Sequence, residues 1–275
     1  MSSRPLEDER AQPHIGASIG VSWLTPLMVI AGAWATRDFW RQPDWPLWLA
    51  LAVLLAAMWS LVWSTMTGIR WAALLSSWRA WSRGAPLPAL PYTQPGSDAE
   101  YFALRLGHLR SWLSSNVWPY YGSALLFCAL AVIITAALAA VMGTAAILLS
   151  LASVGLAQIA ALACQGNGKP NAFMTGAATV GLPVLLGYAT FQDPTLPAWV
   201  LSLASTVIFV DVHGGPLLKR DLGLAAAALT AAILRWPASA FALTIIWAAR
   251  ATLKLGGRGY LWLALAVFCL AITAG

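Results

Sequence analysis

Charged side chains are scarce in this chain, and their scarcity excludes most soluble folds. Lysine and arginine number 16, aspartate and glutamate 10, so that only 9% of the 275 residues are charged while 60% are hydrophobic. A soluble domain carries about a quarter of its residues as charges. The composition therefore predicts an all-α, polytopic membrane protein whose first partner is the lipid bilayer.

Cysteine and histidine are also few, and none of them forms a recognisable metal or catalytic pattern. The three cysteines show no paired spacing, and each histidine stands apart from any second ligand: Cys128, Cys164, Cys269, His14, His108 and His213. No phosphate-binding glycine-rich motif, Ser-x-x-Lys or His-Glu metalloprotease motif is present. The cations are explained by their positions relative to the predicted spans. The net charge of +6 therefore requires no nucleic-acid partner, and none is expected.

Apolar runs long enough to cross a bilayer recur along the whole chain. A helix needs about 20 apolar residues to cross the hydrocarbon core, and fewer where its ends are polar. On this basis the sequence predicts nine spans near 16–36, 46–68, 117–139, 140–162, 171–191, 197–212, 222–235, 238–254 and 260–274. The third and fourth are separated only by Met142 and Gly143. The chain is thus predicted to be a single transmembrane domain over 1–275.

The basic residues predict an orientation for these spans. If the N-terminus is cytoplasmic, 13 of the 16 basic residues fall in cytoplasmic segments, and only Arg37, Arg41 and Arg235 lie outside. Such a bias is typical of membrane proteins, in which cytoplasmic loops are enriched in lysine and arginine. The expected location is a bacterial inner membrane, with the C-terminus outside. No Asp, Glu, Lys or Arg lies clearly inside a span, which disfavours an ion-coupled transporter.

The predicted cytoplasmic face carries a cap formed mainly by 70–116, with smaller loops at 164–170 and 213–221. Residues 70–83 are predicted as a helix continuing from span two or lying on the membrane surface. Proline and glycine then predict a loop. From Asp98, an expected N-cap, a further amphipathic helix is predicted. Its apolar positions recur at helical spacing: Phe102, Leu106, Leu109 and Leu113.

Acidic and basic side chains flank a turn after span six. In VDVHGGPLLKRDLG, Asp211 and Asp221 flank a Gly-Gly-Pro turn, Lys219 and Arg220. These groups could bind an anionic headgroup at the mouth of a helical bundle. Alternatively, the two cations fix the topology, Asp221 caps the next helix and Asp211 ends the previous one.

Span five combines a polar loop with several helix breakers. The stretch LACQGNGKPNAFMTGAATVGLPVLLG resembles the centre of the UbiA superfamily of membrane prenyltransferases, and is most similar to the chlorophyll and bacteriochlorophyll synthase branch. The matching residues are Asn167, Gly168, Asn171, Ala172, Gly181, Leu182, Pro183 and Gly187. The resemblance implies a bundle of nine helices with its larger caps on the cytoplasmic side, consistent with the predicted topology.

The chain departs from that family where the family binds metal. The resemblance implies two aspartate-rich motifs that hold the prenyl diphosphate through Mg²⁺, the first directly after span two. Here Arg70, Ala73 and Ser77 stand about where those acids belong, and none of them is a carboxylate. The second motif is reduced to Asp211 and Asp221. Mg²⁺ is usually held by one or two carboxylates together with phosphate oxygens.

These observations predict a catalytically degenerate UbiA-like protein that binds an isoprenoid lipid, quinone or pigment, or serves as a subunit or assembly factor of a membrane complex, for example a photosynthetic one. The alternatives are an active prenyltransferase with altered diphosphate recognition, for which Mg²⁺ would be the cofactor with Asp211 and Asp221 as its candidate ligands, and a small-molecule transporter. The candidate headgroup-binding residues are Arg70, Asn167, Lys169, Asn171, Asp211, Lys219, Arg220 and Asp221.

The glycines of span five allow two interpretations. Gly176, Gly181 and Gly187, together with Pro183, could thin and kink the helix so that an elongated ligand fits beside it. They could equally bring neighbouring helices into close contact, since small residues are enriched at helix interfaces in membranes.

Overall fold

The protein was analysed as a computed structural model. It describes residues 15–36, 38–69, 71, 78, 97–163, 171–213, 227–228, 242–246 and 266–267; of 15–22 and 211–213 it describes the backbone alone. Throughout these ranges the ordered elements are helices, and none of the described residues lies in a strand. The all-α class predicted from composition is confirmed for this part of the chain.

Eight α-helices make up the described bundle. They are α1 (Ile15–Trp34), α2 (Trp45–Gly68), α3 (Asp98–Trp112), α4 (Trp118–Met142), α5 (Thr144–Ala163), α6 (Ala172–Gly176), α7 (Leu182–Phe191) and α8 (Leu196–His213). A 3₁₀ turn at Phe39–Arg41 lies between α1 and α2. Two π-helical turns, Leu113–Val117 and Ala177–Gly181, join α3 to α4 and α6 to α7 without a break.

Helices occupy each of the first six predicted spans, with bounds that differ by a few residues. Four are long and apolar enough to cross a membrane: Trp45–Gly68, Asp98–Met142, Thr144–Ala163 and Ala172–Phe191. Shorter apolar stretches lie at Trp23–Trp34 and Leu196–Val210. These helices indicate a membrane protein. The last three predicted spans fall outside the described residues, apart from short helical pieces at 227–228, 242–246 and 266–267.

A single glycine separates α4 from α5. Gly143 has φ +100°, in the left-handed region that side chains with a β-carbon rarely adopt. Its N–H donates to the Ala139 carbonyl at 3.0 Å, and its own carbonyl accepts from Ile147 at 3.1 Å. One carbonyl near the end of α4 and one N–H near the start of α5 are thus both paired through this single residue. The break predicted at Met142 and Gly143 is confirmed.

The helix predicted within the cap is longer than expected. It runs from Asp98 through the π turn to Met142 as one helix of 45 residues. Its N-cap is Ser97, whose Oγ accepts a hydrogen bond from the Glu100 N–H at 3.2 Å. The prediction of Asp98 as the cap was therefore wrong by one residue. Ser97 and Glu100 have the Ser-x-x-Glu spacing of a capping box, while Asp98 supplies negative charge to the first turn.

The apolar stripe of α3 is not covered by the described residues. Phe102, Leu106, Leu109 and Leu113 are all exposed. The buried side of the helix instead carries His108 and Trp112. The helical periodicity predicted from the sequence is present, but it did not identify the buried face.

Glycine brings α1 and α7 into very close contact. A β-carbon on Gly32 would overlap the backbone carbonyl of Val184, and one on Gly187 would overlap that of Val29 and lie 2.9 Å from the Ala33 nitrogen. Such overlaps mean that backbone packs directly on backbone, as small residues permit in membrane helices. This crossing lies in the main core, with Met28, Leu185 and other fully buried side chains around it.

An aromatic cluster closes one end of the bundle. Phe39 is buried and packs against Trp40, Trp45 and Phe191, with ring centroids 4.7, 4.9 and 5.0 Å away. Trp34 packs edge-on against Trp40 at 5.2 Å. The connection between α1 and α2 is thereby fixed to the end of α7. Trp34 and Trp40 are exposed, as expected for aromatic side chains at a membrane–water boundary.

Candidate functional site

The described helices place the chain segments next to the candidate residues at one end of the bundle. The contact between Phe39 and Phe191 places the ends of α1 and α7 together, and short connections at 35–44, 143 and 192–195 turn the chain there. We call this the aromatic end. At the opposite end, the polar end, α2, α5 and α8 stop and α6 begins, at Gly68, Ala163, His213 and Ala172. The candidate residues border these four helix ends in the sequence.

Asn171 is the candidate whose side chain is described, and it caps α6. Its Oδ1 accepts a hydrogen bond from the Phe173 N–H at 2.9 Å. Its backbone carbonyl accepts from the Thr175 N–H at 3.0 Å and from the Thr175 Oγ1 at 3.1 Å. Asparagine is among the preferred N-cap residues, because its short side chain reaches the orphan donors of the first turn. Asn171 thus has a structural role that accounts for its position, and its exposed amide nitrogen remains at the polar end.

The other candidates are placed only by their neighbours in the chain. Asp211 lies in the last turn of α8, where the backbone alone is described. His213 is the last described residue of that helix, and the rest of the loop predicted at 213–221 lies outside the described residues. Six candidates lie outside the described residues: Arg70, Asn167, Lys169, Lys219, Arg220 and Asp221. Their grouping into one headgroup site stays a prediction.

Span five has its glycines buried against other helices. A β-carbon on Gly176 would lie 2.8 Å from Cδ1 of Phe209, and one on Gly181 would overlap Oγ1 of Thr206. Gly187 faces α1, as described above. The space beside each glycine is therefore filled by α8 or α1. Of the two interpretations of these glycines, the structure favours close helix packing, because described residues already fill the space that each glycine faces.

Pro183 follows a π turn that changes the hydrogen bonding of span five. The Leu182 N–H donates to the Ala177 carbonyl, five residues back, whereas proline has no N–H and its ring crowds the preceding turn. The other π turn also precedes a proline, since the Trp118 N–H donates to Leu113 and Pro119 follows. Extra hydrogen-bond partners reach such irregular backbone: Ser202 Oγ of α8 donates to the Gly181 carbonyl at 2.9 Å.

Replacing Ser202 by alanine should weaken the contact between the π turn Ala177–Gly181 and α8. The variant loses the bond to the Gly181 carbonyl, and polar contacts between membrane helices contribute about 0.6–2 kcal/mol. We expect the free energy of unfolding, measured by denaturant titration in mixed micelles, to fall by about 1 kcal/mol. Ser205→Ala is the matched control, since Ser205 donates to Leu201 of its own helix at 2.7 Å. Equal losses in the two variants would contradict this role of Ser202.

Other buried polar contacts also join helices of the core. The Trp59 Nε1–H donates to Ser150 Oγ at 3.3 Å, linking α2 to α5. Ser60 Oγ donates to Thr25 Oγ1 at 2.9 Å, linking α2 to α1. These residues were not singled out from the sequence, because serine and threonine in a span most often bond to their own helix.

One polar residue inside a span was missed by the sequence analysis. Gln158 is exposed on α5, five residues before the helix ends at Ala163. Glutamine is uncharged, so a criterion based on ionisable side chains does not detect it. A criterion based on side-chain hydrogen-bond donors does.

Comparisons with known proteins provide no relative. No protein-family model, no curated protein and no solved structure matches the chain. Within the described residues, no group of three His, Cys, Asp or Glu side chains is placed to hold a metal ion. The family resemblance and the Mg²⁺ assignment therefore rest on the sequence motif alone.

Proposed function

We propose that this chain is a UbiA-like integral membrane protein, a catalytically degenerate prenyltransferase homologue, which binds an isoprenoid lipid, quinone or pigment with its headgroup at the polar end. A role as subunit or assembly factor of a membrane complex is compatible with this binding. The observation that best supports this proposal is the arrangement of the helix ends. The helix α6, which Asn171 of the family-like motif caps, starts at the same end of the bundle where α2, α5 and α8 stop. The cationic candidates border those helix ends in the sequence.

The position of Asp98 and Glu100 supports the loss of ordinary chemistry. In the predicted cap, these two carboxylates are the candidates that could take the place of the missing first acidic motif. Both lie in the first turn of α3. That helix continues into α4, so Asp98 stands about 30 Å along the helix from Trp118. In the resemblance, by contrast, the first acidic motif follows span two directly. Here that position carries Arg70, which supplies no metal ligand.

The chemistry of prenyl transfer sets what an active site would need. Ionising an allylic diphosphate releases a highly charged leaving group, and stabilising that charge is the main task of the catalyst. Cations could bind the diphosphate directly, because arginine pairs with phosphate through two hydrogen bonds. The residues available for this are Arg70, Lys169, Lys219 and Arg220. To bind an anionic or polar headgroup, these cations need only pair with it. Catalysis would also require them to stabilise the charge that develops on the leaving diphosphate.

Lipid extraction tests the proposal. The full-length protein, isolated with native lipid in polymer nanodiscs, should carry an isoprenoid lipid, quinone or phytylated pigment at a higher ratio to phospholipid than the surrounding membrane. Mass spectrometry measures that ratio, and an unrelated helical membrane protein from the same cells serves as the control. Equal isoprenoid content in the two preparations, with no co-purifying partner, would refute the proposal.

An active prenyltransferase is the second candidate, favoured by the retained Asp211 and Asp221. Incubation with labelled prenyl diphosphates, with and without Mg²⁺, tests it. Turnover that disappears in Asp211→Ala or Asp221→Ala would establish this function in place of lipid binding alone. A transporter would instead show substrate uptake into proteoliposomes, without prenyl transfer.

The proposed topology has nine spans, a cytoplasmic N-terminus and an external C-terminus in a bacterial inner membrane. Reporter fusions check it. Alkaline phosphatase joined after Gly275 should be active, and the same enzyme joined after Lys169 should be inactive, because this reporter folds only outside the cytoplasm. An active fusion at Lys169 would reverse the orientation, and an inactive one at Gly275 would require an even number of spans.

A further inference from the structure

Thr135 of α4 differs from the other hydroxyl side chains of the spans. It is 3% exposed, and its Oγ1 has no hydrogen-bond partner among the residues that the structure describes. Threonine divides between two rotamers in helices, since its Oγ1 can bond to a carbonyl of the preceding turn. Several span hydroxyls make that bond, each to the carbonyl four residues before it: Thr65, Thr67, Thr179, Thr190, Ser205 and Thr206. The Thr135 hydroxyl does not, although it lies on the buried face of its helix.

Two buried serines of α5 lie at the depth of Thr135. The helices α4 and α5 pack against each other and are joined at Gly143, so residues equally distant from this glycine lie at similar depths. Thr135 precedes Gly143 by eight residues, which is about 12 Å along the axis. Ser150 and Ser153 follow it by seven and ten residues, about 11 and 15 Å. Both serines are buried, and their depths bracket that of Thr135.

The apolar clusters on either side agree with this placement. Ala139 of α4 and Ala146 of α5 belong to the main core, whereas Ala131 of α4 and Ala157 of α5 belong to a second cluster. Thr135 lies one turn from each alanine of α4, and the serines lie one turn from the alanines of α5. The hydroxyls therefore form a polar layer between two apolar ones. The alanine side chains next to them are too short to cover them.

Trp59 of α2 also belongs to this layer, because α2 packs against both α4 and α5. Its Nε1–H donates to Ser150 Oγ at 3.3 Å. A serine hydroxyl that accepts a hydrogen bond keeps its own proton to donate. The layer thus contains a donor on Ser150 and an unpaired hydroxyl on Thr135. A buried hydroxyl without a partner is costly, and buried water typically makes about three hydrogen bonds to such groups.

We propose that Thr135, Ser150 and Ser153 bind an internal water molecule inside the membrane-spanning bundle. Water both donates and accepts, so one molecule pairs with hydroxyls on two helices at once. It joins α4 to α5 and, through Ser150, both of them to Trp59 of α2. Lipid tails offer neither a donor nor an acceptor at this depth.

Radiolytic labelling in water enriched with heavy oxygen tests for the bound molecule. The pulse makes hydroxyl radicals from water, so a buried side chain is oxidised where a bound water lies beside it. In the full-length protein in nanodiscs, Trp59 should acquire heavy oxygen, and Trp63, which is buried one turn further along α2 in the second cluster, should acquire much less. Thr135→Val keeps the shape without the hydroxyl and should lose most of the Trp59 label, whereas Thr135→Ser should retain it.

Thr179→Val is the matched control for the labelling. Thr179 is equally buried, but its hydroxyl donates to the Thr175 carbonyl of its own chain segment at 2.7 Å. This variant should leave the Trp59 label unchanged. Equal labelling of Trp59 and Trp63 in the parent protein, or a Trp59 label that persists in Thr135→Val, would overturn the proposal.

A double-mutant cycle tests whether the hydroxyls share one water molecule. Thr135→Val and Ser153→Ala each remove one of its partners, and circular dichroism establishes that each variant is folded. Either change alone should release the water, so the double variant should raise the unfolding constant about fivefold less than the product of the two single effects. The effects of Thr179→Val and Ser153→Ala should simply multiply. Multiplying effects in the first cycle, or a Thr135→Val variant more stable than the parent, would overturn the proposal, since the hydroxyl would then have no partner to lose.

Discussion

Gly187→Ala should destabilise the bundle by about 1–3 kcal/mol or more, the range for overpacking a filled core. The new β-carbon meets the Val29 carbonyl and the Ala33 nitrogen. These are backbone atoms, which cannot turn aside as a flexible side chain can, so α1 and α7 must separate. Dispersion contacts across the crossing are lost as they do so. The free energy of unfolding in mixed micelles measures the effect.

Gly155→Ala is the matched control for this substitution. It adds the same methyl group to a glycine inside a span, where nothing lies within 4 Å. Because alanine has the higher helix propensity, by about 1 kcal/mol, the control should be neutral or slightly stabilising in the monomer. Gly32→Ala should resemble Gly187→Ala, and the double variant should cost less than the sum, since either change alone separates the helices. Equal effects at 155 and 187 would contradict the crossing.

Trp59→Ala should be the most destabilising single change, by about 3–5 kcal/mol. Trp59 is 1% exposed and is the largest fully buried side chain described. Its removal leaves a cavity between α2 and α5 and abolishes the hydrogen bond to Ser150. Trp59→Phe keeps most of the packing and loses the donor, so it should cost less. Denaturant titration ranks the variants.

Trp199→Ala is the control for Trp59. That side chain is 54% exposed at the start of α8, at the aromatic end, where tryptophan contacts the membrane boundary rather than the core. Its loss should leave the unfolding free energy within about 1 kcal/mol of the parent value. If Trp59→Ala were no worse than Trp199→Ala, the packing of α2 against α5 would be wrong.

Periodicity and breaker residues predicted the helices well. The apolar runs gave the bounds of six spans to within a few residues, and the weakest predicted break, at Gly143, is present. The π turns before Pro119 and Pro183 were not predicted. In each π turn an N–H donates to the carbonyl five residues before it, and this geometry depends on how the backbone accommodates the proline that follows. It also depends on residues distant in the sequence, such as Ser202, which donates to the Gly181 carbonyl.

The candidate site was less predictable from sequence than the fold. Glycine has no side chain, so the pattern of Gly176, Gly181 and Gly187 is the same beside a ligand and beside another helix. Only the positions of Phe209, Thr206 and Val29 decide between them. Asn171 illustrates a related limit, because a residue that suits a headgroup is also a preferred helix cap. Periodicity likewise could not reveal that the apolar stripe of α3 is exposed.

Photoaffinity labelling tests the central claim, that an isoprenoid binds with its headgroup at the polar end. A polyprenyl phosphate with a diazirine beside the phosphate is incorporated with the protein into nanodiscs, irradiated, and mapped by peptide mass spectrometry. We predict labelling in 68–72, 163–171 and 211–221, suppressed by excess unlabelled lipid. Labelling spread over the exposed face of α4, around Leu130 and Ile133, or concentrated at the aromatic end near Trp40 would contradict the account.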